Sequence, residues 1–288
     1  MKSERLRVPA NKKIKLADYD PGNTGPFRSK EEAAEKLAAD IARLEELQDR
    51  LYAQSERGLL IVLQGIDAAG KDGTVKHVMS GVNPSGCQVT SFKVPSQEEL
   101  AHDYLWRYVR ALPRRGHIGI FNRSYYEEVL VVRVHPELLA NEPLVAGKKS
   151  ADIWSQRYRE INHFERYLVD NGFVVLKFFL HLSKVEQKKR FLERLDAKGK
   201  NWKFSPNDVR EREFWDEYAA AYEEMLSHTS SDDAPWYVIP ADHKWFSRVA
   251  VADVIVSTLD GMDLGYPKLT PDQRKQLAQA RKQLENEK

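Results

Sequence analysis

LLIVLQGIDAAGKDGT, residues Leu59 to Thr74, joins an unbroken apolar run to a loop of the form Gly, four residues, Gly, Lys. A short continuous apolar run suits a strand buried on both faces of a parallel sheet. The glycines that follow let backbone N–H groups close on phosphate oxygens at the positive end of the next helix. Strand, glycine turn and helix together predict a phosphate-binding loop, in which Ala68, Ala69 and Gly70 offer backbone and Lys71 a point charge along the phosphates. The stretch departs from the usual form twice. Asp72 stands where Ser or Thr would hold a magnesium ion, and Asp67 places a second carboxylate inside an anion site. For Asp72, a carboxylate in the first turn of a helix interacts favourably with the helix dipole.

Working outward, similar apolar runs occur at HIGIF (117–121), FVVLKFFL (173–180) and WYVIP (236–240), with a weaker one at CQVTSF (87–92). Helical patterns lie between them. Ser29 with Glu32 form a capping-box signature ahead of Leu37, Ile41, Leu44, Leu47 and Leu51, and Ser96 with Glu99 and Ser205-Pro206 with Asp208 open later helices. Alternating strands and helices predict an α/β sandwich around a mostly parallel sheet, with ligands bound beyond the carboxyl ends of the strands. Residues 1–28 are polar, contain Pro9, Pro21 and Pro26, and read as an extended arm that wraps over the body or stays mobile. Residues 29–266 form the predicted phosphotransferase domain, and 267–288, begun by Thr270 and Pro271, an exposed helix or tail.

Composition narrows the function. The 45 Lys and Arg residues nearly match 43 Asp and Glu, so affinity for a polyanion must come from where charges sit, and a nucleic-acid coat protein is disfavoured. One cysteine, Cys87, excludes an intrachain disulfide and a multi-cysteine zinc site, and points to a reducing cytoplasm. No run of about eighteen apolar residues predicts a membrane span, and the N-terminus lacks the apolar core of a signal peptide.

Two further segments carry chemistry. At the end of the 117–121 run, IFNRSYYEEVLVVRVH places neutral Asn122 where an aspartate commonly positions magnesium, and Arg123 beside it suits bidentate phosphate binding. Glu127, Glu128 and Arg133 follow on the next segment. Farther on, Lys188, Lys189, Arg190, Arg194, Lys198, Lys200 and Lys203 crowd one helix end and a glycine-containing loop, with Arg190 and Arg194 on one face. This reads as a lid (about 184–228) that closes over an anionic substrate. Trp202 and Phe204 among the lysines keep a nucleic-acid surface open as an alternative. No two histidines stand four apart as in a helical metal box, and Ser124 lacks a Gly-x-Ser-x-Gly frame.

In order along the chain, GIDAAGKDGTVKHV, SFKVPSQEELAHDYLWR, IFNRSYYEEVLVVRVHPE, INHFERYL, KKRFLERL, NWKFSPNDV and DDAPWYVIPADHKWFSRVAV closely resemble the polyphosphate kinase type 2 family. The form FNRSxYE, in place of FDRSWYN, resembles its class III branch. The resemblance implies a P-loop kinase-like three-layer sandwich with a five-stranded parallel sheet, flanking helices and a helical lid. It also implies transfer of phosphoryl groups from inorganic polyphosphate to AMP and ADP, giving ADP and ATP. Carried over by position, Asp67, Lys71, Arg123 and Arg190 are expected to be catalytic. Asp67 would be the ligand of Mg2+ (or Mn2+), supplying the charge that Asn122 lacks. Asn122, Arg123 and Glu127 would meet the nucleotide, with Glu127 choosing between AMP and ADP. Ala68 to Asp72, Arg123, Arg133, Lys189, Arg190, Arg194 and Lys203 would line the phosphate path. The family also implies a homodimer or homotetramer, with neither nucleic acid nor membrane as partner. An ATP-dependent nucleoside or nucleotide kinase on the same scaffold is the alternative activity.

Overall fold

The computed structural model describes residues 3–141, 153–199 and 201–287. Five strands, β1 (Gly58–Gln64), β2 (Cys87–Ser91), β3 (Ile118–Asn122), β4 (Phe173–His181) and β5 (Trp236–Pro240), coincide with the five apolar runs to within a residue or two at each end. They form one sheet in the order β2-β3-β1-β4-β5, every neighbouring pair parallel. The chain runs from β1 out to β2, back to β3, and then across to β4, so strand order reverses beside β1. The crevice for a ligand in such a sheet lies at this reversal, beyond the carboxyl end of β1.

The longer helices are α1 (Lys30–Gln54), α2 (Lys71–Val78), α3 (Ile153–Asp170), α4 (Lys184–Asp196), α5 (Trp215–Thr229), α6 (Lys244–Asp260) and α7 (Pro271–Glu285). Side chains alternate across a strand, and β1 feeds two cores in this way. Leu59, Ile61 and Leu63 join α1, α2 and α6 on one face; Leu60 and Val62 join α3 and α5 on the other. The result is the three-layer α/β sandwich expected.

Local caps follow the sequence with one difference. Ser29 Oγ accepts from the Glu32 N–H (3.2 Å), but the Glu32 carboxylate accepts from Arg28 N–H (3.0 Å), one residue before the position a capping box requires. The boxes at Ser96–Glu99 and Ser205–Asp208 are complete. The N-terminal segment is tied down: the Val8 N–H donates to Trp236 O (2.8 Å), Arg7 bridges antiparallel to Tyr237, and Val8 and Ile14 are buried. The open edge at β5 is thereby covered, which removes a template for strand pairing. Helix α7 is exposed along its length. Burial pushes the Cys87 thiol up to about 11, so it stays protonated and unreactive. Among the described residues no helix is long and apolar enough to cross a membrane.

Candidate phosphoryl-transfer site

Beyond β1 the backbone turns through positive φ at Gly65 (+154°), Ala68 (+64°) and Gly70 (+107°) before α2 begins. A Cβ at Gly65 would stand 3.0 Å from the Leu180 carbonyl oxygen, so the close approach of loop to β4 needs glycine there. Lys71 is folded back beneath the loop it follows. Its Nζ donates to the carbonyls of Gly65 (2.5 Å) and Ile66 (3.3 Å). Burial, with the Arg123 charge adding to it, lowers the ammonium to about 8. This has a direct consequence for activity. A lysine holds its charge below its pKa, so kcat/KM should fall as pH rises through about 8, measured as a pH–rate profile. A profile flat to pH 10 would remove Lys71 from the charge balance.

Arg123, the residue after β3, is held in the left-handed region (φ +65°), a strained position for a side-chain-bearing residue. Its guanidinium is shared between Glu127 (2.9 Å) and Asp67 (2.6 Å), whose charges keep it firmly ionised. Asn122, just before it, donates its amide to Asp72 Oδ1 (2.7 Å). Each aspartate of the loop is therefore paired with one residue of the FNR segment, and the two motifs form one hydrogen-bonded unit.

The remaining expected site residues divide by position. Arg190, on α4, uses all five N–H groups on protein: Glu186 (2.9 Å), the carbonyls of Ala68 (3.0 Å) and Ala69 (3.2 Å), and those of Ala241 (2.5 Å) and Asp242 (3.0 Å). Here it clamps the loop to the end of β5 and presents no donor to the cleft. Arg194 lies over the Phe191 ring and pairs with Asp208 at 3.6 Å. Lys189 is exposed and pairs with Glu186 (3.5 Å), and Arg133 donates to the Tyr158 hydroxyl of α3 (2.6 Å) beside Trp154. Lys203 lies in the turn Asn201–Lys203, its side chain outside the described set, as is Lys200.

The cleft itself includes residues the sequence reading passed over. Gln187 donates to the Asp67 carbonyl (2.9 Å), and Asp208, Glu211, Trp215, Tyr218 and Tyr222 face Asp67, Arg123 and Glu127. Burial raises the Asp208 carboxyl, and the Asp67 charge adds to this. The capping box at Ser205 marks Asp208 in the sequence, but only the fold turns it toward the loop. Four carboxylates and one guanidinium line this cleft, an acidic balance for a site that takes phosphate. Among the described residues no three His, Cys, Asp or Glu side chains form a ready-made metal cage. Magnesium takes one or two carboxylates and completes its shell with water and substrate phosphates. Asp67 and Asp72 offer hard oxygen donors where such an ion would meet phosphate.

Beneath Arg123 lies a buried polar network. The hydroxyls of Tyr125 and Tyr126 both donate to Glu165 Oε1 (2.8 Å each). Lys177, fully buried in β4, donates to Glu165 Oε2 (2.5 Å), the Tyr126 hydroxyl (2.9 Å) and the carbonyl of Thr229 at the end of α5 (2.6 Å). Burial pulls the Lys177 ammonium down and the Glu165 charge pulls it back. The network joins the Arg123 turn, β4, α3 and α5.

A parallel sheet reversing at a glycine loop with a lysine beneath it and an arginine on the neighbouring strand end defines a P-loop phosphotransferase. Residues 27–266 match the family Polyphosphate kinase 2 (PPK2), and the chain belongs to that family. It is 51% identical over 286 residues to ADP-polyphosphate phosphotransferase of Rhodopseudomonas palustris, covering 99% of each chain. To AMP/ADP-polyphosphate phosphotransferase of Meiothermus ruber it is 47% identical, over 92% of this chain and 96% of that one. The crystal structure of Polyphosphate Kinase 2 from Arthrobacter aurescens TC1 superposes with a TM-score of 0.87 at 39% identity, covering 96% of both chains.

Proposed function

We propose that the protein transfers the terminal phosphoryl group of inorganic polyphosphate to AMP and ADP, giving ADP and ATP. The observation that carries this reading is the pairing of Asp67 with Arg123 and of Asp72 with Asn122 above the buried Lys71 at the sheet reversal, in a chain of the polyphosphate kinase family. An oxygen of the acceptor's terminal phosphate forms a bond to the terminal phosphorus of polyphosphate, and the bridging P–O bond breaks. The shortened polyphosphate leaves as an oxyanion. The attacking oxygen is already ionised at neutral pH, since the second phosphate pKa is about 6, so no general base is needed. Alignment and charge neutralisation are the tasks left to the protein.

Arg123 can take a phosphate in fork geometry once Asp67 and Glu127 share it with the ligand. Lys71 puts its charge along the same group from below, and Arg190 fixes the loop that both rely on. A divalent cation held by Asp67, with Asp72 supporting, supplies the positive charge that an acidic cleft lacks. Arg194, released from Asp208, would reach substrate as the lid segment closes. A cytoplasmic dimer or tetramer belongs to the same reading.

The test is to incubate the pure protein with magnesium, polyphosphate and AMP or ADP without ATP, following nucleotides over time. Formation of ADP and ATP supports the reading; phosphorylation only when ATP is the donor overturns it. Glu127 holds Arg123 rather than standing free, so Glu127→Asn should change the ratio of AMP to ADP turnover by several-fold while total rate changes less. An unchanged ratio removes Glu127 from acceptor choice.

A further inference from the structure

The cleft around Arg123 holds a surplus of acid. Asp67 and Glu127 share its guanidinium, and two further carboxylates, Asp208 and Glu211, line the same space. An incoming phosphate competes with carboxylates for one arginine fork, so any acid free to swing onto Arg123 weakens binding. Asp208 is held at its own helix: it accepts from the Ser205 N–H (3.2 Å) and pairs with Arg194 (3.6 Å).

Glu211 is held differently. Its Oε2 accepts from the Tyr218 hydroxyl (2.8 Å) and meets His135 Nε2 (3.0 Å), and its Oε1 accepts from the Asn207 amide (3.3 Å). A carboxylate oxygen only accepts, so Nε2 carries a proton. Asn207 lies on the short helix Pro206–Arg210, four residues before Glu211, and Tyr218 on α5, seven residues after it. Both bonds travel with Glu211 if this part of the chain shifts. His135 is 76 residues away and ends the IFNRSYYEEVLVVRVH segment, just past the short helix Val131–Val134. Its ring is built in: the side chain is 17% exposed, Phe214 meets it edge-on at 4.8 Å, and Nδ1 faces Glu137 at 3.5 Å. Of the three partners, the histidine is the one that fixes Glu211 to the segment carrying Arg123.

From this arrangement we propose that His135 is a positioning residue for phosphate binding: it holds the Glu211 carboxylate off Arg123 and so leaves the guanidinium open to substrate. The proposal rests on the reading of Arg123 as a phosphate-binding group. Without the imidazole, Glu211 turns into the cleft and joins Asp67 and Glu127 on the same fork. The cost falls on binding, since a phosphate already seated on Arg123 has displaced the competitor and the transfer step is unaltered.

A double-mutant cycle on the full chain tests it. His135→Phe keeps the edge contact with Phe214 but has no donor. It should raise KM for AMP or for polyphosphate, whichever phosphate Arg123 takes, by about tenfold, the scale of a lost hydrogen bond to a charged group, with kcat held within about twofold. His135→Gln, which can place an N–H at the same point, should stay near the parent. In a Glu211→Gln background His135→Phe should change KM by less than about twofold, because no charge remains to compete. A histidine that serves only the fold gives the opposite pattern: the loss persists with Gln at 211, and melting temperature falls with it. That pattern, or unchanged KM values in His135→Phe, overturns the proposal. If His135→Phe does not fold, His135→Leu carries the same cycle. A parent that makes no ATP from polyphosphate overturns the functional reading instead, and the cycle read as ADP affinity by calorimetry still decides the role of His135.

Discussion

Lys71→Ala should lower kcat by about two to three orders of magnitude, the effect of removing one preorganised electrostatic group from a transition state. The loss has two parts in this fold. The ammonium is the charge nearest the loop from below, and it also ties the carbonyls of Gly65 and Ile66 together through one donor. Removing it leaves those carbonyls without that partner at the point where the backbone must pass through positive φ. Steady-state kinetics with polyphosphate and ADP measure the first part. Comparison with Lys71→Gln, which keeps an N–H donor but no charge, separates the second. Wild-type turnover in Lys71→Ala would exclude the loop from the mechanism.

The second large effect lies away from the cleft. Lys177→Met should destabilise the fold by about 3–5 kcal/mol, because it leaves Glu165 charged, buried and without its cation. For a chain of this size that is a fall in melting temperature on the order of 10 °C, read by calorimetry. Pairing it with Glu165→Leu should recover most of the stability, since two apolar side chains carry no unpaired charge. Activity should not recover with it, because the tyrosine hydroxyls that seat the Arg123 turn lose their acceptor in the double variant. A double variant as stable and as active as the parent would show the network to be dispensable.

The strands were legible because each is an apolar run of the right length, and the loop because glycine spacing follows the first of them. The pairing of the two motifs was not. Asp72 stands in the first turn of its helix as the dipole argument expects, but its bond to Asn122, on a strand end fifty residues away, has no local signature. Arg190 illustrates the limit best. Its basic neighbours suggested a group aimed at substrate, but its donors are consumed by carbonyls of residues 121, 122, 51 and 52 positions distant, which no local pattern encodes. Lys177 did leave a trace, as a lone cation within FVVLKFFL. A lysine inside a strand buried on both faces requires a carboxylate nearby, and Glu165 in INHFERYL is that group.

The bond from Lys177 to the Thr229 carbonyl also gives α5 a mechanical character. The helix is pinned at its last residue to the sheet, while its first residue, Trp215, stands at the mouth of the cleft. Fifteen residues make a rod roughly 22 Å long at 1.5 Å per residue. A tilt of only about 10° about that end would carry the far end roughly 4 Å. Because Trp215, Tyr218 and Tyr222 on this helix face Asp67, Arg123 and Glu127, such a tilt would change the width of the cleft around the reacting groups themselves.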